Sequence, residues 1–149
     1  MNLLSETTST KPLQWKKMIL STLLSGVTMW VVAGLWHTII AIHYYKNETD
    51  ADHEGIGIIA IAYIILAFFM SYLYQTSCKK KTIWEGLFFG GLIGVLWVFP
   101  HELAMAGAHS EPIPYVFKNA IWHLFEQSIG GFVVSLVYIF PKKKNNKKT

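Results

Sequence analysis

Six histidines and two glutamates are the residues of this 149-residue chain best suited to chemistry: His37, His43, His53, His101, His109 and His123, with Glu102 and Glu126. Imidazole titrates near neutral pH and is the commonest metal ligand. A neighbouring carboxylate tunes it or shares a metal with it. His123 and Glu126 are three apart, so on a helix they point the same way. His37, His101, His123 and Glu126, with Glu102 as a fifth member, form a candidate ligand or metal cluster.

Three readings of that cluster compete. Imidazole and carboxylate together suit zinc, iron or copper, and two histidines can hold haem. A His and a Glu three apart resemble the carboxylate metal sites of helical bundles, although those repeat the pair on a second helix. The second reading is a proton-responsive or substrate-binding site serving transport or sensing of a small ligand. In the third, the same groups hydrogen-bond between helices and fix the fold without a ligand. His43, His53 and His109 read as loop or interface residues.

The elements that must position these groups are membrane spans. Hydrophobic residues make up 52% of the chain and charged ones 15%, where a soluble domain carries about a quarter. Four apolar runs, at 18–44, 56–76, 83–105 and 120–140, are each long enough for a helix to cross the hydrocarbon. Lipid satisfies no backbone groups, so open-ended spans must be helices, and the alternation of a membrane barrel is absent. The expected fold is all-α: a polytopic membrane protein, a bundle of four transmembrane helices, in one membrane domain over 1–149.

Orientation follows from lysine, since the chain has no arginine. Lys11, Lys16 and Lys17 precede the first run, Lys79, Lys80 and Lys81 separate the second and third, and five more follow the fourth. Only Lys46 and Lys118 fall on the other side. The positive-inside rule places tails 1–17 and 141–149 in the cytoplasm and every histidine toward the outer face of an inner (plasma) membrane. The outer loops are acidic, with Glu48, Asp50, Asp52 and Glu54 in the first and Glu111 in the second, and Asn47-Glu48-Thr49 matches a glycosylation acceptor. Trp15, Trp84, Tyr44, Tyr45, Tyr115 and Trp122 fall at the expected interfaces.

Helix packing is written in glycine. Gly86, Gly90 and Gly94 form a stripe that continues by helical spacing to Trp97 and His101, with a kink or break expected at Pro100. The first run carries Gly26, Trp30, Ala33, His37 and Ala41, and the fourth His123, Glu126, Gln127, Gly130, Gly131 and Ser135. Small faces turn inward, which predicts closest contact among the first, third and fourth helices, with the second facing lipid. The glycine faces also offer a surface for a homo-oligomer or an accessory-subunit partner.

The remaining signals are narrower. Cys78, the sole cysteine, precedes three lysines whose charge could lower its pKa, reads more readily as a reduced cytoplasmic thiol with no role, and excludes an internal disulfide. Glu85 suits the dipole of a helix's first turn. Without arginine, and with lysines only at span ends, nucleic acid is not the partner. No phosphate-binding loop, nucleophile elbow or His-Glu-x-x-His helix is present, so an enzyme would have to rest on Glu126 and a histidine as acid and base, and no catalytic residue is assigned. Gly34-Leu35-Trp36, the third run opening Trp84-Glu85-Gly86, and His123 ahead of Gly130-Gly131 resemble small bacterial four-span inner-membrane families of unknown function. That resemblance covers most of the chain and implies no site residue.

Overall fold

The computed structural model of the protein describes residues 12–40, 55–110 and 112–140. The chain up to Lys11, the first outer loop with Ala41, His43, Lys46, Asn47 and His53, the acidic Glu111, and the lysine-rich tail from 141 lie outside them. Four helices follow in order: α1 (Trp15–Leu35), prolonged by a single wide π turn over Trp36–Ile40, then α2 (Gly55–Ser77), α3 (Ile83–His109) and α4 (Ile113–Ile139). All four are long and apolar enough to cross a membrane. The protein is an all-α four-helix membrane bundle, and no strand occurs among the described residues.

The helix ends have local causes. The Thr82 side chain accepts the Glu85 amide hydrogen at 3.2 Å and opens α3. Ser110, with φ at 57°, closes it in the left-handed conformation. Pro114 lies in the first turn of α4, where its missing N–H costs nothing. The stretch expected to be the second outer loop is therefore mostly helix. His109 ends α3, and its ring Nδ1 lies 3.1 Å from the Met105 carbonyl oxygen. Nor does Pro100 break α3, which continues through it to His109. One lost backbone bond costs less than the several unpaired groups that a break would leave in an apolar medium.

The bundle is centred on α4. Helix α3 packs along one side of it and α1 along another; α2 packs on α1 and touches α4 and α3 more lightly. Helices α1 and α3 do not meet, which corrects the expectation that the first, third and fourth helices are all in mutual contact. The reason lies in Gly26, whose missing side chain makes room for Ile64 and Ala67 of α2. Helix α2 is still the least buried of the four spans. The core comprises Met29, Ala67, Met70, Tyr74, Val134 and Tyr138.

The glycines of α3 and α4 are used inside the fold. A side chain at Gly90 would strike the Gln127 carbonyl, one at Gly94 would come within 2.7 Å of the His123 carbonyl oxygen, and one at Gly86 within 2.6 Å of that of Gly131. The neighbours Gly130 and Gly131 serve different helices: Gly131 meets Gly86 and Gly90 of α3, and Gly130 meets Met29 and Ser25 of α1. Two adjacent small residues thus let α4 be approached closely from both sides.

The lysine-bearing end is tied together. Lys17 Nζ donates to the carbonyls of Tyr138 (3.2 Å) and Phe140 (3.3 Å), so α1 begins where α4 ends. Lys81 Nζ donates to the last carbonyls of α2, Tyr74 at 2.6 Å and Gln75 at 2.8 Å, and stands over the Tyr74 ring.

Candidate functional site

Glu126 is the most deeply buried charged side chain of the bundle, at 0% exposure. Because α4 begins at Ile113 rather than near residue 120, Glu126 stands at the helix midpoint, not two turns from its end. A charge there costs on the order of 3 kcal/mol on insertion scales. His123, one turn away, supplies the counter-group: its Nδ1 lies 3.0 Å from Glu126 Oε2. The contact is short but off the hydrogen-bonding direction, since His123 Nδ1 has no hydrogen-bond partner among the described residues. The imidazole is 23% exposed, so the pair leads from the interior toward the surface. Tyr63 of α2 lies against the same carboxylate.

Other unpartnered polar atoms surround the pair. Gln127 is 1% exposed and its Oε1 has no partner. Trp122 Nε1 is also buried without an acceptor. The Trp122 ring has a partner within the fold. It is half-buried and stacks on Trp36, with centroids 4.1 Å apart and planes 11° apart.

The other candidates lie apart from this pair. His101 is exposed and, among the described residues, pairs with Glu102 at 3.9 Å. His37 is exposed within the π turn. Both placements correct the helical extrapolation used above. The buried stripe of α3 steps by four through Gly90, Gly94, Val98 and Ala106, passing Glu102 and leaving Trp97 and His101 outside it. That of α1 runs Met18, Thr22, Ser25, Met29 and Ala33 toward Trp36, so His37 falls one residue off it. Among the described residues no three His, Cys, Asp or Glu side chains converge to hold a metal ion.

Two residues outside the cluster have structural roles that spacing did not reveal. The Glu85 carboxylate accepts the amides of Lys79 (3.0 Å), Lys80 (3.4 Å) and Lys81 and so staples the α2–α3 turn. Cys78 is buried, and burial together with the nearby Glu85 carboxylate pushes its thiol up to about 11, outweighing Lys81. The thiol sits against the core, so burial outweighs the lowering that the lysines could bring. The chain matches no known family model, no curated protein and no solved structure.

Proposed function

We propose that this chain is a multi-pass membrane protein whose working centre is the His123–Glu126 pair, a proton-binding site serving proton-linked transport or sensing of a small ligand. The observation that carries the reading is a carboxylate at 0% exposure in the middle of a membrane helix, its one ion-pair partner among the described residues a partly exposed imidazole at 3.0 Å. An ionisable residue in that position is retained against a standing cost, and such residues line proton and substrate paths. The imidazole beside it can both take and give a proton at its ring nitrogens, so proton exchange with the surface has a first station. The lysine clusters favour cytoplasmic termini in an inner (plasma) membrane, which turns the His123 side of the pair outward.

Infrared difference spectroscopy of the protein in lipid, stepped from about pH 4 to about pH 9, tests the site. A carboxyl C=O band that changes with pH and is missing in Glu126→Gln is expected. A wild-type spectrum without such a band, or one unchanged in Glu126→Gln, would falsify the proton-binding role.

A further inference from the structure

Polar groups line the seam between α1 and α4 well beyond the His123–Glu126 pair. At the lysine end the Tyr138 hydroxyl donates to Gln75 Oε1 at 2.6 Å and lies against Ser21. Ser21 Oγ is 3.0 Å from Ser71 Oγ. Thr22, beside it, is 6% exposed and its hydroxyl has no partner. One turn further along α1, Ser25 Oγ donates to the Gly130 carbonyl at 3.0 Å. One turn further along α4 comes Glu126, then His123 and the surface.

Hydroxyls and carboxyls each both give and take a proton. Successive stations on one helix are ~5.4 Å apart, one turn. Beside the step from Ser25 to Glu126 sits an apolar side chain: Met29, at 0% exposure, seated against Gly130 next to Ser25 Oγ and one turn beyond Ser25 on α1. An unbranched thioether moves aside more easily than a branched aliphatic. The charged and titratable groups that face Glu126 are His123 on its own helix and Tyr63 from α2. Among the described residues, neither α1 nor α3 forms an ion pair with it.

We infer that protons pass along the α1–α4 seam between His123 and Tyr138 by way of Glu126, Ser25 and Ser21, with Met29 as the gate. This rests on Glu126 as a proton-binding site and adds the route and its control. Nothing but a proton moves, so a counter-ion must cross separately.

Liposomes containing the protein, loaded with potassium and given valinomycin, provide that counter-ion, and a pH-sensitive dye reads proton uptake. Uptake above empty liposomes is expected for wild type, raised severalfold in Met29→Ala, lowered in Met29→Leu and Ser25→Ala, and at the empty-liposome level when Glu126→Gln is added to Met29→Ala. The route is overturned if neither wild type nor Met29→Ala exceeds empty liposomes, if Glu126→Gln leaves uptake intact, or if both Met29 variants match wild type. Infrared spectra of the same vesicles separate the two ideas. A Glu126 band that persists without uptake sinks the route alone, and a missing band sinks the binding site with it.

Discussion

At the scale of single residues, the chemistry of the bundle depends on which partner each polar group finds. Glu126 and His123 compensate each other inside the fold. Removing the imidazole leaves a carboxylate with no ion-pair partner among the described residues, and breaking a buried pair from one side costs about 3–5 kcal/mol. His123→Ala is therefore expected to be markedly less stable than the double variant His123→Ala, Glu126→Gln, in which no charge is left behind. Unfolding in mixed micelles measures both, and equal stabilities would remove the ion pair from the account. Cys78 gives a second test. Its thiol is raised from 9.0 to about 11, so at pH ~8 its thiolate fraction is about a hundredfold below that of a free thiol. Iodoacetamide should modify it far more slowly in the folded protein than after denaturation. The sign for stability follows: the raised thiol stabilises the fold below about pH 9, and that contribution is lost as pH rises through about 11.

At the scale of elements, glycine sets the distance between helices. A methyl group at Gly90 meets the Gln127 carbonyl, a backbone atom that cannot turn away. Gly90→Ala is expected to destabilise the protein by about 1–3 kcal/mol, as overpacking does. Gly107 has nothing near the space its side chain would occupy, so Gly107→Ala is expected to be neutral or stabilising by up to about 1 kcal/mol. Thermal unfolding of the pair checks the contrast, and equal shifts would mean that close α3–α4 contact does not limit stability. The glycine stripes offered a surface for a partner in the sequence, but Gly26, Gly86, Gly90, Gly94, Gly130 and Gly131 each face a neighbouring helix of their own chain.

At the scale of the molecule, the lysine-bearing ends of α1 and α4 are side by side, joined through Lys17. With four spans both termini lie on one side, and the orientation proposed from the lysine distribution makes that side cytoplasmic. Tags at either end should be protected from protease added outside intact cells and digested once the membrane is opened; digestion of either tag in intact cells would reverse the orientation.

Composition and run length determined, by themselves, that the chain forms four membrane helices, because the apolar runs had no other way to satisfy their backbones. Spacing alone also placed His123 beside Glu126, since a separation of three fixes direction on a single helix. Only the tertiary structure decided which faces meet. Extrapolating a stripe over several turns accumulates angular error, which carried His37 and His101 off their seams, while Val98 and Trp36 proved to lie on them. Nor could sequence tell that Tyr63 comes from α2 to face Glu126, that Met29 fills the space at Gly130, or that Glu85 holds three amides of a turn. Those contacts join helices or bend the chain back on itself, and they exist only once α4 has been enclosed by its neighbours.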